Sequence, residues 1–352
     1  MYIISPTLHK VYTNKFYHRC AVDHSLGFGE AYMEGWWDCD DHVEMVFRLA
    51  KSGPYRPPSV KLRDTLEYMV NRQTLPRSKE VIKKHYDLGN DLYENFLDST
   101  MNYTCAYWKD AANLEQAQLH KMDLIARKLK LKPGMHVLDL GCGFGSMAKY
   151  LAENYNVSVV AYNISEEQVN YARKSCSHLP VEVVLDDYRN AKGIYDRVYS
   201  VGLLEHVGRH NYRTYFEVVN RCLKEDGIHL LHAITVVHKD VPNKDRWSDT
   251  YIFPNGELPF AKDYSTYSAG LFIIEDLHNF GYDYYKTLMA WNRNFDKNWS
   301  KISQNPKYDQ RFYRMWKNYL QGAAAFFKSR RFNLCQVVFS KDGLPEGYDS
   351  ER

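Results

Sequence analysis

No run of about 18 apolar residues occurs in this 352-residue chain, so no membrane-spanning helix is expected. Met1 to Pro6 lack a charged n-region and a sustained apolar h-region, and the start does not read as a signal peptide. The seven cysteines include no Cys-x-x-Cys pair, which argues against a disulfide framework or structural zinc; no metal is expected, and the default setting is reducing and cytoplasmic. Net charge is only +3 with both signs interspersed, so nothing calls for nucleic acid. Internal repeats and low-complexity tracts are absent.

What the chain has in excess is tyrosine, 29 residues, a composition suited to core packing, to a greasy ligand or to sheltering a transient cation. Its organising stretch is the apolar run Val137-Leu138-Asp139-Leu140, the turn Gly141-Cys142-Gly143-Phe144-Gly145, and a resumption at helical spacing from Ser146. A buried strand should turn sharply into a helix here. Glycine lets a ligand lie against bare backbone, and the helix start offers unpaired N–H groups. The simpler alternative is a tight turn that binds nothing.

Residues 1–76 read as a small, mainly helical unit with nine Lys and Arg against nine Asp and Glu; its Gly- and aromatic-rich stretch includes Trp36 and Trp37. Helices are expected over 42–51 and 61–73, separated by Pro54, Pro57 and Pro58. A basic segment from Arg77 and a helix-turn-helix around Gly89 follow, then the polar, aromatic and thiol-bearing segment 101–108 and a helix over 113–129. From there strand and helix alternate, giving a doubly wound, mostly parallel α/β sheet with helical insertions. Strands are expected near 137–140, 157–162, 181–185, 196–201, 227–234, 284–288 and 334–340, seven in all. Ser165-Glu166-Glu167-Gln168 is a capping-box pattern, and Lys224 to Gly227 a turn. The long connection 236–270 reads as a lid or substrate-binding insertion. The division expected is 1–76, a catalytic domain over 77–341, and a polar, frayed tail over 342–352.

Two ligands suit the glycine turn, a dinucleotide or S-adenosylmethionine. The even spacing of Gly141, Gly143 and Gly145 departs from the dinucleotide fingerprint, and no Walker loop is present. An acidic residue before Gly-x-Gly-x-Gly resembles the S-adenosylmethionine-dependent methyltransferases, although Asn163 stands where many of them carry an acid. A closer resemblance rests on His85 to Asp91, Tyr103 to Trp108, Gly141 to Gly145, Ile164 to Gln168, Glu205-His206-Val207-Gly208, Tyr251 to Gly256, Gln336 to Ser340 and Gly29 to Trp37. Together these stretches resemble the cyclopropane-fatty-acyl-phospholipid synthases over nearly the whole chain, with an N-terminal domain shortened at its start.

That resemblance implies a Rossmann-like methyltransferase domain that adds a methylene from S-adenosylmethionine across the cis double bond of an unsaturated phospholipid acyl chain. Attack on the sulfonium methyl leaves a carbocation that must lose a proton before the ring closes, so the site needs a base, water exclusion and stabilisation of positive charge. Bound bicarbonate is the base the family implies, held by residues that correspond to Cys105, Glu205, His232 and Tyr284. Cofactor contacts carried over are Tyr103, Thr104, Gly141, Gly143, Asn163, Gln168, Asp187 and Tyr188, while Asp139 is expected to order the loop. Glu205 and His232 are placed just past the ends of the fourth and fifth strands. Tyr107 and Tyr267 are expected to shelter the cation. The implied partner is unsaturated phospholipid at a membrane surface, reached by a cytoplasmic, peripherally attached enzyme, with a homodimer as an open alternative.

The chain departs from the family pattern at Thr104, Phe144, Ala233, Thr235, Ala323, Ala325 and Cys335, changes expected to reshape the acyl channel. Two other readings stay open. One is an N- or C-methyltransferase of the same fold without ring closure, and the other a membrane-associated binding module without activity.

Overall fold

The computed structural model describes residues 10–53, 70–74, 89–237 and 245–352. The expected helix over 61–73 up to residue 69, the three prolines, the basic start at Arg77 and the first half of the 85–91 motif lie outside the described residues.

The described residues open with β1 (Lys10–Val11), α1 (Lys15–Met33), β2 (Trp37–Asp38) and α2 (His42–Ser52) and resume with α3 (Asn90–Phe96) and α4 (Leu114–Lys128). The sheet domain follows as β3 (His136–Leu140), α5 (Ser146–Tyr155), β4 (Ser158–Asn163), α6 (Glu166–Ser175), β5 (Val181–Leu185), β6 (Tyr195–Val201), α7 (Leu204–Val207), α8 (Tyr212–Cys222) and β7 (Leu223–Val236). It ends with α9 (Arg246–Tyr251), α10 (Ala261–Ser268), β8 (Ile273–Asn279), α11 (Tyr282–Ile302), α12 (Gln310–Lys328) and β9 (Phe332–Ser340).

Seven strands form one sheet in the order β5-β4-β3-β6-β7-β9-β8, parallel except for β9, which runs antiparallel to both its neighbours. The order reverses between β3 and β6. Met147, Ala148 and Leu151 of α5 join the core on one face, whereas Leu204, Val207, Tyr212 and Phe216 join the core on the other. A crevice therefore opens at the carboxyl ends of β3 and β6, where such sheets bind ligands. Ser165 caps its helix as expected, accepting from the N–H of Gln168, and the structure adds a cap at Asn113, which accepts from that of Gln116.

Two strand expectations change. Residues 284–288 are helical: Tyr284, Leu288, Trp291 and Phe295 recur at helical spacing on the buried face of α11. The strand lies upstream, at β8, whose solvent-facing Ile273, Ile274 and Leu277 and register shift between Ile274 and Asp276 break the alternation that would mark it. In β7, Leu223 pairs with Tyr195 and Ile228 with Arg197, so the Lys224 to Gly227 turn bulges out of a strand that starts earlier than expected.

A third core holds the described N-terminal residues against α12. Phe16, Tyr32, Trp37, Val43, Met45 and Val46 pack with Ala325, and Arg314 sits 4.0 Å over the Tyr32 ring while donating to the Trp37 carbonyl. Trp37 is thus packing, as its aromatic setting suggests. Gly29 is required by close approach, since a Cβ there would lie 2.2 Å from the Trp247 ring.

The tail is docked rather than frayed. The Tyr348 hydroxyl donates to the Lys128 carbonyl, Glu351 pairs with Arg127 and Lys130, and Arg352 grips both carboxylate oxygens of Asp276 at 2.7 Å. Asp276 also faces the fully buried Lys128 ammonium at 3.4 Å. Burial alone would raise the Asp276 carboxyl, but hydrogen bonds from Arg352 and the charge of Lys128 outweigh it and hold it at about 2. Its contribution is therefore complete above the ordinary carboxylate range and is lost as pH falls toward about 2. Asp276→Asn should strand Lys128 without a counter-charge and cost on the order of 3 kcal/mol, read as a lower midpoint in urea unfolding at neutral pH. The gap to the wild type should close in acid.

Candidate active site

Beyond the β3 and β6 ends lies a cavity of about 780 Å³. The glycine turn forms part of its wall, with φ of +92° at Gly141, +54° at Gly143 and +81° at Gly145. A Cβ on Gly145 would meet Ala172 at 2.8 Å, which is a packing demand, but one on Gly143 would meet nothing within 4 Å. Gly143 therefore leaves room for a ligand against its backbone.

All eight residues expected to contact the cofactor line this one cavity: Tyr103, Thr104, Gly141, Gly143, Asn163, Gln168, Asp187 and Tyr188. Their polar atoms are unequally committed. Asn163 donates to the Gly143 carbonyl at 3.1 Å and to Gln168 Oε1 at 2.9 Å, and its Oδ1 accepts from the N–H groups of Ile164 and Ser165. This is why a neutral amide stands there: a carboxylate could not donate to the glycine loop. Asp187 is held by Arg189 through two contacts of 2.7 Å. The Tyr103 hydroxyl donates to that of Tyr319 at 2.8 Å, whereas the buried Tyr188 hydroxyl has no hydrogen-bond partner. Asp139 also lines the cavity and accepts from the Tyr199 hydroxyl at 2.7 Å; burial pushes its carboxyl up to about 7 against that hydrogen bond.

The four expected catalytic residues divide between two layers. Glu205 and Tyr284 line the cavity, while Cys105 and His232 are buried outside its lining. Glu205 rides on the short α7, just past β6; His232 lies inside β7, paired with Val201, rather than past its end. Glu205 Oε1 accepts from the Ile234 N–H at 2.7 Å, and its Oε2 is buried with no partner among the described residues. Burial drives this carboxyl up to about 7, the Ile234 N–H opposing. His232 Nδ1 faces the Gln336 amide at 3.3 Å, and among the described residues its buried Nε2 also has no partner. Burial, then the charges of Lys121 and Lys128, push the imidazole well below its usual pKa, so it is neutral. Burial raises the Cys105 thiol and the Tyr284 phenol well above their usual values. Segment 101–108 is pinned to α11 through Thr287, whose hydroxyl accepts from the Ala106 N–H at 3.1 Å and the Trp108 ring N–H at 2.9 Å.

Tyr107 and Tyr267 do not reach the cavity. Tyr107 packs edge-on against Phe280, and Tyr267 against Tyr212, because each lies on the outer side of its segment. The aromatic wall comes instead from Phe144, Phe253, Tyr284, Tyr319, Phe326 and Phe327. The last three ride on α12; their helical spacing was readable, but not which stripe faces a cavity. Lys121, buried in the wall, was passed over as one of many helix lysines. The 236–270 connection covers the cavity with Asp245, Trp247 and the stretch from Phe253 to Leu258; residues 238–244 are outside the described set. Of the departures from the family pattern, only Thr104, Phe144 and Ala323 touch the cavity, while Ala233, Thr235, Ala325 and Cys335 are buried elsewhere.

A family profile described as mycolic acid cyclopropane synthetase matches residues 73–337. The cyclopropane-fatty-acyl-phospholipid synthase of Escherichia coli strain K12 is 48% identical over 337 residues, covering 94% of this chain and 87% of that protein. Among solved structures, the cyclopropane synthase MmaA2 from Mycobacterium tuberculosis superposes with a TM-score of 0.70 at 29% identity, over 75% of this chain and 98% of that one. The mycolic acid cyclopropane synthase CmaA1, complexed with SAH and CTAB, gives a TM-score of 0.68 at 30% identity, with coverage of 75% and 98%. With a reversed-order sheet, a glycine-lined cavity at the reversal and these matches, the chain belongs to the mycolic acid cyclopropane synthetase family.

Proposed function

We propose that this chain is an S-adenosylmethionine-dependent synthase that converts the cis double bond of an unsaturated phospholipid acyl chain to a cyclopropane. The observation that carries the reading is the meeting, in one cavity, of the glycine cradle with a buried Glu205 whose Oε2 has no partner. The cation left by methyl transfer to an alkene must lose a proton, and ring closure takes it from the transferred methyl itself, so the acceptor has to stand in the same cavity as the cofactor cradle. CmaA1, seen with SAH, and the Escherichia coli synthase support the same cofactor and an acyl-lipid acceptor.

The orphaned Glu205 Oε2 and His232 Nε2 suit a small polar guest, one an acceptor and the other able to donate or accept according to tautomer. Of the four residues expected to hold bicarbonate, Glu205 and Tyr284 would meet it in the cavity, with His232 Nε2 and Cys105 in the layer behind them. When bound it would supply the proton acceptor. Glu205 is anchored by the Ile234 N–H so that its second oxygen stays turned inward, and Gln336 orients the His232 ring. The aromatic and apolar wall would exclude water, and Tyr284 and Phe253 in that wall are placed to stabilise positive charge developing on the acyl chain.

The acyl chain is assigned to the apolar part of the wall that runs along α12 through Gly322, Ala323, Phe326 and Phe327 and onto Val46, Leu49 and Ala50 of α2. An acyl site walled by the N-terminal residues and α12 suits an enzyme that docks on a membrane surface and takes lipid from it. No described helix is long and apolar enough to cross a membrane.

Purified protein given S-adenosylmethionine and mixed unsaturated phospholipids should add the mass of one CH2 group to the acyl chains with loss of the alkene; a gain on an amine instead would overturn the reading. Glu205→Gln should lower kcat about 10³-fold. Because the ionised acceptor form of Glu205 is lost as pH falls below about 7, turnover should show an acid limb there that the variant lacks. Gly322 is a steric test: a Cβ there meets nothing within 4 Å. Gly322→Leu should leave thermal stability intact and cut turnover of long-chain phospholipid about tenfold or more relative to a short-chain analogue.

A further inference from the structure

Lys121 stands on α4 with its side chain buried, only 1% exposed, yet it forms part of the cavity wall. Its ammonium donates to Asn102 Oδ1 at 2.7 Å and to Thr104 Oγ1 at 2.9 Å. An ammonium has three donors, and both these partners are neutral. No carboxylate among the described residues forms an ion pair with it. Burial lowers its pKa to about 8, with more distant Asp98 and Cys105 opposing, so it is still mainly cationic at neutral pH. The contrast with Lys128 on the same helix is direct, for that equally buried ammonium has Asp276 at 3.4 Å. A buried charge left without a counter-charge is costly, and a ligand that brings the missing anion recovers that cost on binding.

The ligand read for this cavity carries one anionic group, the α-carboxylate, and two cationic ones, the sulfonium and the α-ammonium that shares a carbon with the carboxylate. A sulfonium set against a buried ammonium would be repelled; a carboxylate would be drawn to it. We propose that Lys121 binds the α-carboxylate of S-adenosylmethionine and, with Thr104 and Asn102 fixing the ammonium, sets which way the methionine end of the cofactor lies. The Lys121 ammonium and the sulfonium then stand at opposite ends of that chain with the α-ammonium turned away from Lys121, and the sulfonium is left to the part of the wall that carries Glu205 and Tyr284. The inference rests on the S-adenosylmethionine reading of the cavity and adds to it the residue that recognises the carboxylate.

The test compares S-adenosylmethionine with decarboxylated S-adenosylmethionine, which keeps the sulfonium and adenosine but lacks the anion, by calorimetric titration of the full chain. Lys121→Met removes the charge, and Lys121→Gln removes it while retaining a donor toward Asn102 and Thr104, which guards against simple loss of folding. Both variants should bind S-adenosylmethionine about 50-fold more weakly than the wild type and the decarboxylated probe within about twofold of it. Equal weakening of both ligands, or an undiminished preference for the carboxylated one, would overturn the proposal. So would a variant that keeps that preference but needs more bicarbonate for turnover, since the ammonium would then serve that anion. Failure of the wild type to bind either ligand would overturn the cofactor reading itself.

Discussion

The reversal of strand order between β3 and β6 is the constraint on which the site depends. Adjacent parallel strands whose following helices leave to opposite faces cannot close over their own carboxyl ends, so the gap between α5 and α7 is built into the topology. Everything polar in the site is hung from the rim of that gap. The glycine turn leaves β3, Glu205 leaves β6, and the Tyr199 hydroxyl on β6 reaches Asp139 on β3 across the join at 2.7 Å.

An open crevice would be wet, and a transient carbocation cannot be handled in water. The chain solves this with elements outside the sheet. α11 and α12 bring Tyr284, Leu288, Tyr319, Phe326 and Phe327, segment 101–108 is laced onto α11 through Thr287, and the connection after β7 adds Trp247 and Phe253. The resulting dry enclosure is what shifts the titrating groups. Glu205 at about 7, a neutral His232 and Lys121 at about 8 share one dominant cause, burial, and each stays tolerable only because it faces a partner or a place for one.

α12 has a double office that ties the N-terminal residues to the chemistry. One stripe carries Ala325 into the core around Trp37, and Arg314 reaches Tyr32; another carries Tyr319, Gly322 and Phe326 into the cavity wall. A shift of the N-terminal residues on this helix would therefore change the apolar part of the cavity directly.

Local chemistry made much of this legible in the sequence. The alternation of strands and helices from residue 137, the cap at Ser165 and the evenly spaced glycines depend on residues within a few positions of one another, and the structure bears them out. The eight residues that the family resemblance assigns to the cofactor all line one cavity. What the tertiary structure alone decided is direction and company. Residues 284–288 have the aromatic density of a strand, yet the spacing of buried contacts on α11 makes them helix; β8, an edge strand with apolar residues in solvent, hides from any pattern test. Tyr107 points away from the cavity and Tyr319 into it, a difference of helix and loop orientation that no local signal carries. The polar tail looked frayed because its partners, Asp276, Arg127 and Lys128, are distant in sequence. Lys121 and Lys128 are indistinguishable as letters on one helix. Folding gives one of them a carboxylate and leaves the other facing the cavity with only neutral partners.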